Sequence, residues 1–268
     1  MSFKIHHLNC GSFCPHLSQT LFGVTHLSCH CLLIESAQNL ILVDTGLSDL
    51  FLKLNKNPLN KFLTRPKFDN LQSASTQIRN LGYSPSDVTD IIATHVDQDH
   101  IGAVHEFKLA RLHLNHNELA HLNPEASESS KRFSLEYLVN TKEIITYSKF
   151  GEDWFGFKAV KQLKHLPPEI LLVPLVGHTN GHSGIAVKDG DSWLLHAGDA
   201  YFFQEDLSLQ ANTKSFKREI FQSLDAVHNK NRVLNKKRLA QLNRENSDVQ
   251  IINSHDHRYF AGTNFSSI

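Results

Sequence analysis

The sequence predicts an α/β fold in which two packed, mixed β-sheets carry helices on both outer sides. Apolar, strand-like runs are concentrated in two β-rich halves of the chain, and segments with helical spacing alternate with them. The chain has 268 residues, of which 40% are hydrophobic and 20% are charged, as in an ordinary globular protein. This length suits one large domain, so we expect residues 1–268 to form a single domain.

The first half of the chain begins with strands. Apolar runs predict strands at 3–9, 30–36 and 39–46, with a Ser-Ala-Gln-Asn hairpin turn between the last two. Apolar residues at helical spacing predict a helix over 70–82, which a glycine ends. The next strand is predicted at 88–94, and it leads directly into a cluster of histidines and aspartates.

The second half begins with a segment of different character. Residues 115–170 are predicted to form a mainly helical insertion, because "HNELAHL" and "KRFSLEYLVN" favour helices. The strand pattern resumes in "EILLVPLV" and "SGIAVKDGDSWLLHAGD", where an Asp-Gly pair predicts a hairpin turn. Residues 214–246 favour helix, and "DVQIINSHD" predicts the last strand.

Composition argues against several classes of partner. Lys+Arg and Asp+Glu are balanced at 27 each, so no global charge attracts nucleic acid. The basic cluster at 229–238 lacks interleaved aromatic residues and is predicted to be a solvated helix face. No apolar run approaches the ~20 residues of a membrane span, and the N-terminus does not resemble a signal peptide. We expect a cytoplasmic protein without a nucleic-acid or membrane partner, and a homodimer remains open.

The cysteines favour a structural interpretation. Their Cys-x-x-x-Cys and Cys-x-Cys spacings are not those of a standard zinc ribbon. The last two alternate along a predicted strand, so they face the same side. We expect buried or half-buried reduced thiols rather than a second metal site or a redox pair. The four residues are Cys10, Cys14, Cys29 and Cys31.

Histidines and aspartates gather in five loops, each placed where an apolar strand is predicted to stop. In α/β folds such strand-end loops lie close together and form ligand sites. One of them, "IIATHVDQDHIGAV", holds two histidines and two aspartates within six positions. In chain order, the loops contain Asp44; His95, Asp97, Asp99 and His100; His178 and His182; Asp199; and His255 and His257.

The order DTG, H-x-D-x-D-H, GHTxGH, GD and a late histidine resembles that of the metallo-β-lactamase superfamily over nearly the whole chain. "HHLNCGSFCP", "CHCLLIE", "LVPLVGHTNGHSGIAV" and "WLLHAGDAYFF" resemble a bacterial branch described only as metallo-hydrolases of this fold. The resemblance implies the αββα sandwich of that family and a site for two divalent metal ions. The implied ligands are His95, Asp97 and His178 for the first ion, Asp99, His100 and His255 for the second, and Asp199 as the bridge.

Other residues of these loops are expected to support the ligands. Asp44 is predicted to accept backbone N–H bonds in its turn or to steady a ligand histidine, and His182 is predicted to orient His178 or the substrate. Tyr201 is placed in the same supporting group. His257 offers the chemistry of His255 two residues later, so it stays an alternative ligand. His196 is expected to pack at a strand end.

Asp97 departs from the family pattern, which has a third histidine at that position. A carboxylate adds negative charge and is a harder ligand than imidazole, which moves the preference of the first site toward iron or manganese. Asp is also short, so it could reach the ion only through water or leave the first site weakly filled. The expected order is zinc first, then iron or manganese, with a half-filled site left open.

The implied reaction is hydrolysis of an ester, lactone or related bond in a small molecule. Two ions lower the pKa of a shared water, and Asp99 orients that water and passes its proton to the leaving group. A lactonase resembling the acyl-homoserine-lactone enzymes is one alternative, although Phe202 stands where those enzymes have tyrosine and Tyr201 is one residue early. A thioesterase, a phosphodiesterase and a non-hydrolytic diiron redox or oxygen-binding protein are the others.

Overall fold

The computed structural model describes residues 3–16, 18–122, 134–139, 141–160, 162–208 and 213–260. The strands in this part of the chain are β1 (Lys4–Phe13), β2 (Leu27–Glu35), β3 (Leu40–Val43), β4 (Pro66–Lys67), β5 (Val88–Ile92), β6 (Arg111–Asn115), β7 (Glu143–Tyr147), β8 (Glu152–Trp154), β9 (Phe157–Ala159), β10 (Ile170–Pro174), β11 (Ser183–Asp189), β12 (Ser192–His196) and β13 (Val249–Ile252).

The α-helices are α1 (Ser18–Phe22), α2 (Asp49–Leu54), α3 (Pro58–Thr64), α4 (Ala74–Asn80), α5 (Gln98–Ile101), α6 (Thr213–Asp225) and α7 (Asn229–Glu245). Short 3₁₀ helices cover Pro85–Asp87, Val104–Glu106, His116–Leu122, Leu135–Leu138, Gln204–Ser208 and His257–Phe260. The predicted helix over 70–82 is confirmed but shorter, since Ser73 caps α4 by accepting a hydrogen bond from the Thr76 N–H.

Two mixed sheets form the centre of the fold, as predicted. The first has the order β4-β1-β2-β3-β5-β6-β7, with antiparallel pairs up to β3 and parallel pairs from β3 to β7. The second has the order β10-β11-β12-β13, in which only the β12–β13 pair is parallel. The small β8–β9 hairpin lies beside β10, and a bridge between Val160 and Leu172 joins them.

Apolar side chains fill the space between layers. Between the two sheets, β2, β3 and β5 pack against β10, β11 and β12, for example Ile41 and Ile92 with Leu172 and Ile185. The outer face of the first sheet packs against α2, α4 and α5, and that of the second against α7. The predicted αββα arrangement of layers is confirmed.

The structure corrects the prediction of a mainly helical insertion at 115–170. Glu143–Tyr147 forms β7, which pairs in parallel with β6 and extends the first sheet. "WFGF" belongs to the β8–β9 hairpin, and "HNELAHL" forms a 3₁₀ helix. Part of "KRFSLEYLVN" lies outside the described residues. The helical prediction failed because strands at an edge are half-exposed and carry only a weak apolar pattern.

The cysteine prediction is confirmed, because all four thiols are free, with Cys10, Cys29 and Cys31 buried and Cys14 half-buried. Burial raises the pKa values of the Cys29 and Cys31 thiols, which keeps them protonated and unreactive. Within the described residues, no helix is both long and apolar enough to cross a bilayer.

Candidate metal centre

The ligand candidates meet at one edge of the two sheets. The chain that follows β5 supplies four of them, two from the β5–α5 loop and two from α5, and the ends of β12 and β13 and the β10–β11 loop of the second sheet supply the rest. Each of three groups places its ligand atoms within 4.8 Å of one another. The groups are His95, Asp97 and His178; Asp99, His100 and His255; and His95, His100 and Asp199.

The first group brings Asp97 into contact with both of its histidines. Asp97 Oδ2 lies 3.2 Å from His95 Nε2 and 3.0 Å from His178 Nε2. Ligand atoms around one tetrahedral zinc are separated by about 3.4 Å, because each bond is about 2.1 Å long. The Asp97 carboxylate therefore reaches the position of a direct ligand, despite its short side chain.

The second group lies on the other side of Asp199. Asp99 Oδ2 is 3.6 Å from His100 Nε2 and 3.7 Å from His255 Nε2. Its side chain is half-buried and lines a cavity, whereas His100 and His255 are buried. Asp99 is thus the carboxylate of this group that a bound molecule can approach.

Asp199 lies between the two groups. Its Oδ2 is 2.9 Å from His255 Nε2 and 3.5 Å from His178 Nε2, and its Oδ1 is 3.4 Å from His100 Nε2. A carboxylate that faces both sets of nitrogens has the geometry of a bridging ligand.

Buried atoms without hydrogen bonds identify where ions fit. Within the described residues, no hydrogen bond reaches Nε2 of His95, Nε2 of His100 or Oδ1 of Asp199, although all three atoms are buried. Such groups are costly unless another partner binds them. All three belong to the group centred on Asp199 and face its interior, so the donor set fits divalent cations.

Asp199 on one side and His100 and His255 on the other shift each other's pKa values toward the charged forms. Burial disfavours the charged imidazolium, but the Asp199 carboxylate outweighs this effect and raises the pKa of His255 to about 9. The pKa of His100 also lies well above its usual value despite burial, because Asp199, Asp99 and Asp44 surround it. His255 and His100 in turn hold the pKa of the buried Asp199 well below its usual range. The Asp199 carboxylate therefore stays ionised.

Asp44 contacts His100 of the second group from outside the cluster. Its Oδ2 lies 2.8 Å from His100 Nδ1, and its carboxylate also accepts hydrogen bonds from the N–H and hydroxyl of Thr94. Asp44 has a φ of 55°, a left-handed conformation that turns the chain at the end of β3. His100 Nε2 is thereby directed into the centre.

His182 supports Asp199 rather than binding an ion. Its Nδ1–H donates to the Leu175 carbonyl at 3.0 Å, and its Nε2 accepts the Asp199 N–H at 2.9 Å. Burial, together with the nearby His95 and His178, lowers the pKa of His182 well below its usual value, so the imidazole stays neutral. Both ring nitrogens of His182 therefore form hydrogen bonds, and the one at Nε2 positions the Asp199 backbone.

Two other predicted residues lie away from the ligand atoms. The Tyr201 hydroxyl donates to Gln204 Oε1 at 3.2 Å within the core under the second sheet. Tyr201 therefore lies away from the ligand atoms that it was expected to support. His257 packs against His26, with ring centroids 4.2 Å apart, while His255 lies among the ligands. His196 donates to the His30 carbonyl at the end of β12, where packing was expected.

Glu118 is the residue that the sequence pattern did not indicate. Its Oε1 accepts hydrogen bonds of 2.6 Å from the Thr179 hydroxyl and the Gly181 N–H, and its Oε2 accepts one of 2.9 Å from the Val96 N–H. Burial outweighs these bonds and raises the pKa of Glu118 to about 7. The Glu118 side chain therefore forms hydrogen bonds with two loops, the one that carries His95 and Asp97 and the one that carries His178.

A cavity of about 770 Å³ opens from the centre. Asp97, Asp99, Asp199 and His255 lie at its inner end, and Phe202 packs against the His255 ring with centroids 4.6 Å apart. None of the described residues that line it is lysine or arginine. Its walls are aromatic, with Phe13, Phe22, Phe51, Phe62, Phe202 and Phe221.

Comparison with known proteins matches this geometry. Residues 24–255 match the model of the metallo-β-lactamase superfamily. A probable metallo-hydrolase of Mycobacterium tuberculosis is 34% identical over 258 residues, which cover 94% of this chain and 80% of that protein. An N-acyl homoserine lactonase of Bacillus cereus is 24% identical over 203 residues, or 74% of each chain.

A solved structure is similar over the same length. It is an N-acyl homoserine lactone hydrolase with the product N-hexanoyl-L-homoserine bound at its catalytic metal centre, and it covers 100% of both chains with a TM-score of 0.71 at 19% identity. The fold, the cluster of ligand atoms and the extent of the family match agree. The chain therefore belongs to the metallo-β-lactamase superfamily and is a metallo-hydrolase that uses divalent metal ions.

Proposed function

We propose that this protein hydrolyses uncharged carboxylic esters with an apolar acyl group, and lactones in particular. The observation that carries the proposal is the cavity, which joins the ligand cluster to walls of phenylalanine and leucine without a lysine or arginine. Such walls favour a neutral, apolar substrate and provide no lysine or arginine to pair with a phosphate or a polyanionic thioester. The relatives that are N-acyl homoserine lactonases support the same class of substrate.

The ligand set favours zinc, with iron or manganese as the alternative. His95, Asp97 and His178 would hold one ion, Asp99, His100 and His255 the other, and Asp199 both. When bound, these ions supply an activated water and polarise the carbonyl of the substrate. Two of the six terminal ligands, Asp97 and Asp99, would be carboxylates, and Asp199 would add a third, which keeps manganese and iron in competition with zinc.

Asp99 is the proposed proton carrier. It is the half-buried carboxylate of the centre and lines the cavity, so it can accept a proton from the attacking water and return it to the leaving oxygen. Phe202 packs on His255 and has no hydroxyl, so it excludes water from the acyl group without binding the carbonyl. Substrate specificity then depends on how well the acyl group fits the apolar cavity, rather than on a hydrogen bond from a tyrosine hydroxyl to the carbonyl.

The test combines metal analysis with a substrate panel. Protein purified without added metal is analysed for bound elements, reconstituted with zinc, manganese or iron, and assayed on lactones, esters, thioesters and phosphodiesters. We expect two ions per chain and the highest kcat/KM for a lactone or ester with a long acyl chain. Asp199→Ala should lose 100-fold or more of that activity, while Asp191→Asn in the exposed β11–β12 turn keeps it. Fewer than one ion per chain, or a preference for phosphodiesters, would refute the proposal.

A further inference from the structure

The mouth of the cavity carries exposed apolar side chains on two helices. Phe62 and Leu63 of α3 and Leu224 of α6 line the cavity, yet they are 61%, 56% and 83% exposed. Leu59 precedes the α3 pair by one turn, and Phe216 and Ile220 precede Leu224 at intervals of four, so each helix presents one apolar stripe. We call these side chains the mouth patch: Leu59, Phe62, Leu63, Phe216, Ile220 and Leu224.

The chain around α3 is strongly basic. Between Leu50 and Phe68 there are five cationic residues and no aspartate or glutamate, although the whole chain has 27 of each sign. All five are exposed. We call them the basic collar: Lys53, Lys56, Lys61, Arg65 and Lys67.

One contact places Arg65 of the basic collar beside the mouth. The Arg65 guanidinium lies 3.3 Å from Nδ1 of His16, which lines the cavity and packs against the Phe62 ring with centroids 4.6 Å apart. On the opposite wall, Glu219 pairs with Arg232 and Lys236 of α7, which neutralises its charge. Asp225 remains as the acidic residue of that wall.

We propose that the mouth patch and the basic collar bind an anionic lipid surface, from which an amphiphilic substrate enters the cavity. Apolar side chains inserted at the level of the headgroups and cations facing anionic lipid are the two components of peripheral membrane binding. Such binding needs no spanning helix, so it is compatible with the absence of one from the described residues. The sequence alone predicted no membrane partner, because only spanning segments leave a clear signal. The entry route rests on the proposed function, whereas the lipid binding does not.

Charge favours lipid over a second copy of this chain. A two-fold dimer through the mouth patch would bring the same surface of both copies together. The five cations of one basic collar would then lie close to the five of the other, and like charges across an interface oppose association. An anionic lipid surface offers favourable contacts both to the apolar mouth patch and to the cations of the basic collar.

The test measures co-sedimentation of the metal-loaded protein with vesicles, without any turnover. Vesicles of phosphatidylcholine with phosphatidylglycerol are compared with phosphatidylcholine alone, at low and high salt. We expect binding only to the anionic vesicles and a loss of binding as salt rises. The double variant Lys61→Glu/Lys67→Glu should weaken partitioning at least about tenfold, and Leu59→Ser/Phe216→Ser should also weaken it.

Matched controls lie on α7, which is also basic and has an exposed leucine. Lys230→Glu/Lys237→Glu carries the same change of charge, and Leu234→Ser removes an equally exposed apolar group. Both controls should keep partitioning within twofold, and all variants should keep activity on a water-soluble short-chain ester. The proposal is overturned if the protein ignores anionic vesicles, if the α7 variants lose binding equally, or if sedimentation instead shows a dimer that Leu59→Ser/Phe216→Ser dissociates. Vesicle binding without esterase activity would refute the proposed function alone.

Discussion

At the scale of single residues, Glu118 shows how one buried carboxylate positions several ligands. It accepts hydrogen bonds from the loop of His95 and Asp97 and from the loop of His178, and it contacts none of the ligand atoms directly. Gly181 is required beside it, because a Cβ at that position would lie 2.7 Å from the Glu118 backbone nitrogen. The two loops therefore meet at a fixed separation.

Glu118→Gln should weaken the first metal position more than it weakens the fold. The amide keeps an oxygen for Thr179 and Gly181 but turns an N–H₂ group toward the Val96 N–H, which leaves that buried donor unsatisfied at a cost of about 1–3 kcal/mol. We expect a 10- to 100-fold loss of affinity for one of two ions, measured by competition with a chromophoric chelator. Unchanged affinity for both ions, with native circular dichroism, would show that Glu118 does not position the ligands.

Asp97→His should change which metal the first position prefers. Asp97 Oδ2 lies close to both His95 Nε2 and His178 Nε2, so a direct bond to the ion is expected. Imidazole suits zinc better than carboxylate does and removes one negative charge, so the ratio of zinc to manganese affinity should rise by a few-fold or more. Competition between the two metals, measured on both proteins side by side, checks this. Equal selectivity would mean that Asp97 touches no ion.

The cluster of candidate ligands could be predicted from the sequence because each residue follows an apolar run and all but Asp97 match the family motif. Glu118 could not, because a single glutamate in a helix-like run has no pattern that distinguishes it from a solvated residue. The burial of Tyr201 in the core could not be predicted from the sequence either, since a shift of one position along the loop decides which side of the chain the ring faces. Sequence thus indicates groups of ligands better than the residues that orient them.

At the scale of elements, Asp90 joins β5 to β6 just below the ligand loop. Its carboxylate accepts hydrogen bonds of 2.7 Å from Arg111 Nε and Nη2 and lies 2.8 Å from His113 Nε2. Burial alone would raise its pKa, but the bonds with His113 and Arg111 lower it to about 2 from 3.8. Because the folded pKa is the lower one, the stabilisation is complete above pH 3.8 and is lost as the pH falls toward 2.

Asp90→Asn should remove this stabilisation. The shift corresponds to about 2 kcal/mol at roughly 1.4 kcal/mol per pKa unit, so the free energy of unfolding at pH 7 should fall by at least that amount. Between pH 4 and 2 the variant should also lose less further stability than the parent. Urea unfolding at several pH values measures both effects, with Asp191→Asn as the exposed control. Parallel pH profiles for Asp90→Asn and the parent would contradict the assignment.

The strands β1, β2, β3 and β5 were predictable from the sequence, whereas β7 was not. β2 and β3 are buried along nearly their whole length and read as continuous apolar runs. β7 lies at the edge of the sheet and two of its five residues are exposed, so "EIITY" resembles a loop as much as a strand. The error at 115–170 follows from this weak signal, and not from an unusual fold.

At the scale of the whole molecule, the metal centre joins the two sheets. The loop and helix after β5 provide the candidate ligands His95, Asp97, Asp99 and His100, and loops of the second sheet provide His178, Asp199 and His255. An ion bound by both sets links the layers and stabilises the folded chain relative to the unfolded one.

Removal of the ions should therefore lower the Tm of the entire domain. At a metal concentration of a thousand times Kd the ions contribute about 4 kcal/mol, and in a domain of this size each kcal/mol shifts Tm by roughly 2–4 °C. We expect a chelator to lower Tm by about 8–16 °C in the parent and by much less in Asp199→Ala, as measured by calorimetry. An identical Tm with and without chelator in the parent would show that the ions do not link the sheets.

His255 is held by hydrogen bonds to Ser28, near the beginning of β2. Its Nδ1 lies 2.8 Å from the Ser28 carbonyl, and the Ser28 N–H donates to the His255 carbonyl at 3.1 Å, across 227 positions of sequence. Contacts of such long range form late, because the chain between them must first be ordered. A nascent chain that ends before residue 255 therefore has Asp99 and His100 without the third residue of their group. Only a chain extended through residue 255 can assemble the second group of ligand atoms.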